Sequence, residues 1–258
     1  MCRRDAGGVG ATRSGVAAAW WPPTDAAIYD VMMTQPLRYD AVLLDIDGTL
    51  VDSNGAHAAA WSDAFMAHRR HHPAEQVRPL VGKGGDKVLQ ELASLDDESG
   101  EGKAISKDRA EIFKERYLPA LTPTPGATDF VQWLIDSRLT VVIATSAKED
   151  EVKGLLKVCG GEALAADATT SDDAERSKPD PDIVAAALKK AGVPRERAVM
   201  IGDTPYDIEA ARRAGIATIA FRCGGWDDAG LRGAPAIYED PKELLARIGQ
   251  SPLYSDVS

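Results

Sequence analysis

The sequence has little cysteine and no long hydrophobic run. Its three cysteines, Cys2, Cys159 and Cys223, are odd in number and widely spaced, which argues against a disulfide framework or a cysteine-rich zinc site. We expect free thiols in a reducing compartment and predict a cytoplasmic location. The apolar run at residues 16–21 is too short for a secretion signal. No stretch approaches the ~20 apolar residues that a membrane span requires.

Positive charge is also scarce in this chain. The 30 lysines and arginines are outnumbered by 40 aspartates and glutamates, which leaves a net charge of -10. Such a surface repels nucleic acid and anionic lipid, so we expect neither as a partner. An anionic substrate would therefore need local positive charge or a metal ion. The length of 258 residues allows one large domain, or a core with a smaller domain attached to it.

Strand and helix patterns alternate through most of the chain. Residues 1–38 lack a sustained periodicity and are predicted to be a flexible N-terminal extension, and residues 251–258 a C-terminal tail. Short apolar runs predict buried strands at AVLLDI (41–46), TVVIATS (140–146), AVMIGD (198–203) and ATIAF (217–221). Helical patterns that end at Gly192 and Gly215 lie between the later runs. This alternation favours an α/β fold, with helices on both faces of a parallel sheet.

One segment interrupts the alternation. Residues 53–121 contain helical patterns and no convincing strand, and the proline-rich TPTPG at 122–126 marks the return to the sheet. We therefore expect residues 39–52 and 122–250 to form the core. Residues 53–121 are predicted to form a separate helical cap domain.

Two aspartates follow the first predicted strand, in the stretch DIDGT at residues 45–49. A buried carboxylate is costly unless it is paired or bound to a metal, so the stretch is either a simple turn or a chemical site. A calcium loop is excluded because Gly48 comes fourth where that loop needs glycine sixth, and because a strand precedes it.

Further polar residues follow the other predicted strands. Thr145 and Ser146 follow the second strand, Asp203 and Asp207 follow the third, and Lys178 lies in the loop SKPDPD. Ligands of open parallel sheets bind beyond the carboxyl ends of the strands, so these side chains are expected to converge. Several carboxylates cannot lie together without neutralisation, and hard oxygen ligands suit Mg²⁺, which leaves room for a phosphate.

The order D-x-D-G-T, strand-end Thr or Ser, Lys-Pro and G-D-x-x-x-D resembles the haloacid dehalogenase superfamily of phosphohydrolases. The match covers about residues 39–248. The resemblance implies a Rossmann-like parallel sheet core with an inserted all-helical cap domain. It also implies a Mg²⁺-dependent phosphatase that hydrolyses a small phosphomonoester, phosphoglycolate- or sugar-phosphate-like, through an aspartyl-phosphate. The partner would be a small phosphorylated metabolite, and the protein a monomer or a homodimer.

The resemblance implies catalytic and metal-binding roles for the aspartates. Asp45 would be the nucleophile, and Asp47 would be the general acid and then the general base. Mg²⁺ would be held by Asp45, the backbone carbonyl of Asp47, and Asp203. Asp207 would be a ligand through water or would orient Lys178.

The resemblance also implies phosphate-binding residues. Thr145 and Lys178 would bind the phosphoryl oxygens, with help from Ser146 and the backbone at Gly48 and Thr49.

The predicted cap contributes two candidate substrate-binding residues. The stretch DSNGAHAAAW at 52–61 resembles the first cap segment of β-phosphoglucomutase and related phosphatases, which makes His57 a candidate. The alternative is a histidine that faces solvent. Lys83 is a candidate for contacting an anionic or hydroxylated leaving group.

Two alternative functions remain open from the sequence. The first is a sugar-phosphate mutase, but Val81 and Gly85 stand where the mutase has a lysine and an arginine. The second is a non-catalytic protein that binds a phosphorylated ligand. Such a protein is expected to lack the nucleophile or the acid, and both Asp45 and Asp47 are present.

Overall fold

A five-stranded parallel sheet lies at the centre of the structure, a computed structural model that describes residues 36–254. Most of the predicted N-terminal extension, Cys2 and residues 255–258 lie outside the described residues. The strands are β1 (Ala41–Leu44), β2 (Thr140–Ile143), β3 (Ala198–Gly202), β4 (Ala217–Phe221) and β5 (Ala236–Tyr238), in the order β2-β1-β3-β4-β5. Leu44 pairs with both Ile143 and Ile201, so the carboxyl ends of the three neighbouring strands lie at one edge.

Helices connect the strands and cover the sheet. They are α1 (Asn54–Ala67), α2 (Ala74–Val77), α3 (Gly85–Ala93), α4 (Gly100–Ile112), α5 (Ala127–Asp136), α6 (Glu149–Val158), α7 (Asp182–Ala191), α8 (Pro205–Ala214) and α9 (Pro241–Ala246). Among the described residues, none of these helices has the length and apolar character needed to cross a membrane.

Both faces of the sheet are buried, as the continuous apolar run of β1 predicts. Val42 and Leu44 pack in one cluster with residues of α5, α6 and α9, whereas Ala41 and Leu43 pack in another with residues of α7 and α8. Successive side chains of a strand point to opposite faces, so a strand covered on both sides must be apolar at every position. This arrangement confirms the α/β fold.

The segment between β1 and α5 is helical, as expected for an inserted cap. Helices α1 to α4 share a hydrophobic core that includes Trp61, Phe65, Leu89 and Ile105. On α1 the buried side chains recur at helical spacing through Ala60, Ala64 and neighbouring positions. The structure has no strand within residues 53–121. The boundaries at residues 53 and 121 stay a prediction.

The secondary structure differs from the sequence prediction in several places. The first three strands end at Leu44, Ile143 and Gly202, before the polar residues that were assigned to the same runs. Strand β5 was not predicted, because its three residues lie at the edge of the sheet and are too few to show a pattern. Helices α6 and α9 were also not predicted. The predicted helix ends at Gly192 and Gly215 are confirmed, since both glycines have the left-handed conformation.

Candidate active site

Three buried aspartates meet at the carboxyl edge of the sheet. Asp45 follows β1, Asp203 follows β3, and Asp207 lies in the first turn of α8. One carboxylate oxygen of each lies within 4.8 Å of the others. The pairing of Leu44 with Ile201 accounts for this proximity, because it places the residues after the two strands side by side. The structure thus brings together the carboxylates of the predicted metal site, although they are far apart in the sequence.

Lys178 neutralises part of this negative charge. Its Nζ atom lies 2.7 Å from Oδ1 of Asp45 and 2.7 Å from Oδ1 of Asp207. It also donates a hydrogen bond of 2.8 Å to the carbonyl of Ala144. Burial lowers the pKa of Lys178, but the two carboxylates raise it more, so that its pKa is above the usual range. The ammonium group therefore stays protonated although it is buried.

One ammonium group is not enough for three carboxylates. Burial raises the pKa of Asp45 well above its usual value, and Asp207 and Asp203 raise it further, although Lys178 opposes this effect. Burial, followed by the charge of Asp207, raises the pKa of Asp203 to about 7. Carboxyl groups that resist ionisation in a shared site indicate missing positive charge. The all-oxygen donor set fits a divalent metal ion.

The surrounding polar groups orient Asp203. Thr49 Oγ1 donates to its Oδ1 atom at 2.8 Å, and Asn54 Nδ2 donates to its Oδ2 atom at 2.9 Å. Asn54 also donates to the carbonyl of Gly224 at 3.1 Å. The Thr49 hydroxyl is therefore occupied by a hydrogen bond to the Asp203 carboxylate. Gly48 has a φ of 77°, and a Cβ atom there would overlap Asn54 and Asp203, so glycine is required.

Asp47 has partners different from those of the three clustered aspartates. Its Oδ1 atom accepts a hydrogen bond of 2.5 Å from Ser53 Oγ and lies 2.8 Å from Nε2 of His57. Burial raises the pKa of Asp47, but the charge of His57 and the hydrogen bonds from His57 and Ser53 together lower it below the usual value. His57 is buried and stacks on Phe113 at 4.1 Å between ring centres, so it faces the site and not solvent.

A partly open cavity lies above these residues, between the core and the cap. Its lining contains six of the predicted site residues, namely Asp45, Asp47, His57, Lys83, Thr145 and Ser146. Lys178, Asp203, Asp207, Gly48 and Thr49 are not part of this lining.

Three of the predicted phosphate- and substrate-binding residues have hydrogen-bond or ion-pair partners within the protein. Thr145 Oγ1 accepts a hydrogen bond of 3.0 Å from the backbone N–H of Ala147. Ser146 Oγ donates to the carbonyl of Gly82 at 3.2 Å, which links the core to the cap. Lys83 lies at the cavity, but its Nζ atom is 2.6 Å from Oε1 of Glu91.

The sequence prediction did not include several polar residues of the site. Ser53 and Asn54 lie shortly after the DIDGT stretch, at the start of a helix. Their polar side chains at that position were the available indication that they belong to the site. Arg109, which lines the cavity, had no signal, because it lies on a charged helix whose orientation the sequence does not specify. The same holds for its buried partner Glu151 on α6.

Known proteins resemble this chain over most of its described length. A family model for haloacid dehalogenase-like hydrolases matches residues 42–221, which is more than half of the chain. A phosphoglycolate phosphatase from Pseudomonas savastanoi pv. phaseolicola is 32% identical over 220 residues, which cover 79% of this chain and 75% of that protein. The protein SUPPRESSOR OF QUENCHING 1 of Arabidopsis thaliana is 33% identical over 189 residues, which cover 72% of this chain but 18% of that protein.

The fold has a close counterpart among solved structures. A hydrolase from Pseudomonas syringae superposes with a TM-score of 0.76 at 31% identity, over 81% of this chain and 98% of that chain. Together with the family match and the motif residues at the edge of the sheet, this similarity confirms the resemblance found in the sequence. The chain belongs to the haloacid dehalogenase-like hydrolase family.

Proposed function

We propose that this protein is a cytoplasmic, Mg²⁺-dependent phosphatase that hydrolyses a small phosphomonoester through an aspartyl-phosphate on Asp45. The observation that carries the proposal is the position of Asp45. Its carboxylate lines the cavity and contacts the ammonium group of Lys178 at 2.7 Å, with Asp47 lining the same cavity. The name of the Pseudomonas savastanoi relative, a phosphoglycolate phosphatase, supports the same substrate class.

Asp45 is proposed as the nucleophile. One of its oxygens would attack phosphorus, the bond to the leaving oxygen would break, and the phosphoryl group would become attached to Asp45. Phosphoryl transfer has a loose transition state, so positioning and charge neutralisation matter more than the strength of the nucleophile. Lys178 supplies both, because it holds Asp45 in place and carries a positive charge.

Asp47 is proposed as the general acid and base. In its protonated form, which its lowered pKa makes the minor one near neutral pH, it would protonate the leaving oxygen in the first step. In the second step it would take a proton from the water that hydrolyses the aspartyl-phosphate, which restores that form. Ser53 and His57 both contact the Oδ1 atom of Asp47, so they fix the direction of the carboxylate. The Oδ2 atom is the oxygen left for proton transfer.

Asp45, Asp203 and the backbone carbonyl of Asp47 are proposed to hold Mg²⁺. When bound, the ion supplies charge neutralisation for the phosphoryl oxygens. Thr49 and Asn54 would keep Asp203 in place for this role. Asp207 is proposed to act mainly through Lys178, because its Oδ2 atom is already occupied by the N–H and hydroxyl groups of Thr204.

A mutase of the β-phosphoglucomutase type is not favoured by the cavity. Val81 and Gly85 line it where the mutase has two cationic residues, and neither can bind a second phosphate through its side chain.

The proposal is tested with a panel of small phosphomonoesters, assayed for phosphate release with and without Mg²⁺. We expect release that depends on Mg²⁺ and is abolished in Asp45→Asn. Asp40→Asn is a matched control, because Asp40 lies just before the same strand but is exposed and pairs with Arg197. Full activity of Asp45→Asn would show that Asp45 is not the nucleophile. Isomerisation of glucose 1-phosphate with a bisphosphate primer, without phosphate release, would instead identify a mutase.

A further inference from the structure

Arg109 of α4 is a charged side chain from the cap that reaches the cavity. It lines the cavity next to Asp45, Asp47 and His57, and it also lines a smaller pocket that adjoins this cavity. Its residue surface is only 9% exposed. None of the roles proposed above for catalysis or metal binding uses this buried guanidinium group.

Arg109 is held firmly in its position. Its Nη1 atom donates to Oε1 of Glu151 at 2.6 Å, and the side chain of Glu151 is fully buried. The guanidinium carbon lies 5.2 Å from the ring centre of Trp61 and 5.9 Å from that of Phe113. An ion pair and two aromatic rings thus restrict both the direction and the plane of the group, as cation–π geometry favours.

One hydrogen-bond donor of this fixed group is free. Among residues 36–254, the buried Nε atom of Arg109 has no hydrogen-bond partner. A buried charged donor without a partner is costly, so its presence at a cavity wall points to a ligand. A guanidinium group presents several N–H donors in a planar fork and can bind two oxygens of a carboxylate or phosphate at once.

The remaining charges favour an anion on the cavity side. Within the part of the chain that the structure describes, the Oε2 atom of Glu151 also has no hydrogen-bond partner. However, Glu151 lines the adjoining pocket and not the cavity, whereas Arg109 lines both spaces. The other basic side chains of the cavity wall already have acidic partners: Lys83 lies 2.6 Å from Glu91, and His57 lies 2.8 Å from Asp47. Among the described residues that line the cavity, Arg109 is therefore the basic residue that has a donor without a partner.

We propose that Arg109 is a specificity-determining residue that binds a second anionic group, a carboxylate or a second phosphate, on the phosphomonoester cleaved at Asp45. This inference rests on the proposed phosphatase function. Glu151 acts as a positioning residue that directs the guanidinium group toward the cavity. The preferred substrates are then small phosphate esters with two anionic ends.

Two matched pairs of esters test this proposal in the wild-type protein. The first pair is 2-phosphoglycolate and 2-hydroxyethyl phosphate, which differ in a carboxylate. The second is 1,3-propanediol bisphosphate and its monophosphate, which differ in a second phosphate. We measure kcat/KM with Mg²⁺ for each ester and define the selectivity as the ratio within a pair. The proposal requires selectivity for the doubly anionic ester in at least one pair. The pair that shows this selectivity identifies the second anionic group as a carboxylate or as a phosphate.

Two variants then assign the selectivity to Arg109. Arg109→Lys keeps a positive charge beside Glu151 but lacks the N–H donor that Nε of arginine provides. The double variant Arg109→Gln/Glu151→Gln removes both charges, so that the Glu151 carboxylate is not left buried without a counter-charge. We expect both to lower the selectivity about 10- to 100-fold, mainly through KM, because one charge-assisted interaction with the substrate is lost. Thermal unfolding of each variant identifies any that does not fold.

A control variant separates substrate binding from docking of the cap. Lys114→Gln removes another ion pair between the cap and α6, the 2.7 Å contact with Asp150, but this pair is exposed and Lys114 does not line the cavity. Its selectivity should stay within about threefold of the wild type. Wild-type selectivity that is absent in both pairs, or that persists in both Arg109 variants, overturns the inference while phosphatase activity stands. A wild-type protein that hydrolyses none of the four esters contradicts the proposed function as well.

Discussion

The Nε2 atom of His57 lies 2.8 Å from the Oδ1 atom of Asp47. This contact joins the first helix of the cap to the carboxylate that we propose as the acid and base. Stacking of the His57 ring on Phe113, 9° from parallel, holds it in this orientation. The position of the cap is thereby coupled directly to the geometry of Asp47.

The first prediction concerns His57. His57→Ala should reduce kcat about 10- to 100-fold with a smaller change in KM, because Asp47 loses the group that orients its carboxylate. Steady-state kinetics with Mg²⁺ and one phosphomonoester measure the effect. His68→Ala is the matched control, since His68 makes an equally short contact of 2.8 Å with Asp108, and neither residue lines the cavity. Equal losses in the two variants would assign His57 a structural role only.

The second prediction concerns the pH dependence of metal binding. Because the pKa of Asp203 is raised to about 7, the metal-free protein holds a proton there below that pH and must release it to bind Mg²⁺. Affinity for Mg²⁺ should therefore rise between about pH 6 and pH 8. Isothermal titration calorimetry in buffers of different ionisation enthalpy measures affinity and proton release together.

Asp203→Asn provides the corresponding variant for metal binding. It should weaken binding strongly and reduce the proton release, whereas the exposed control Asp40→Asn should leave both unchanged. The same affinity at both ends of this pH range in the wild type would contradict the prediction.

The third prediction concerns the stability contributed by Lys178. Lys178→Met removes the cation between Asp45 and Asp207 and leaves two buried carboxylates without a counter-charge. The free energy of unfolding should fall by about 3–5 kcal/mol in the absence of metal. Urea unfolding followed by circular dichroism measures the loss. Lys190→Met serves as a control, because Lys190 is exposed and its ammonium group donates a hydrogen bond to the backbone carbonyl of Ala168 and not to a buried carboxylate. A loss no larger than that of the control would show that the cluster is not held together by Lys178.

The fourth prediction concerns close packing against the Asp203 carboxylate, which we propose as a metal ligand. A Cβ atom at Gly224 would overlap the side chain of Asp203, so Gly224→Ala should displace that carboxylate. We expect a loss of activity of about 100-fold, as is typical when a reacting geometry shifts by about 1 Å. Gly55→Ala is the control, since a Cβ atom on that helical residue meets nothing within 4 Å. The control should keep its activity and gain about 0.5 kcal/mol of stability from the helix propensity of alanine. An active Gly224→Ala protein would exclude tight packing around Asp203.

The carboxyl edge of the sheet was largely predictable. Apolar runs are followed directly by Asp45 and Asp203 and flanked by Lys178. Parallel strands place their carboxyl ends at one edge of the sheet, independently of the rest of the sequence. Strand β5 escaped prediction because an edge strand of three residues carries too little pattern.

The cap side of the site was less predictable. His57 was proposed from a resemblance, with a solvent-facing position as the alternative, and Arg109 had no signal at all. The partner of Arg109, Glu151, is 42 residues away, and the partner of Asn54 is the carbonyl of Gly224, 170 residues away. Such pairs depend on how the helices rotate and dock, which the local pattern of charged residues does not specify.

The sequence by itself determined four of the five strands and the residues at the carboxyl edge of the sheet. Buried apolar runs set these strands, and the register of the strands positions the polar residues that come after them. Only the tertiary structure decided which side chains face these residues from the cap. Packing of Trp61 and Phe113 sets the orientation of α1 and α4, and that packing turns His57 toward Asp47 and Arg109 toward the cavity. The chemistry proposed for this site is thus readable from the strand ends, whereas the selectivity proposed for it depends on how the cap docks.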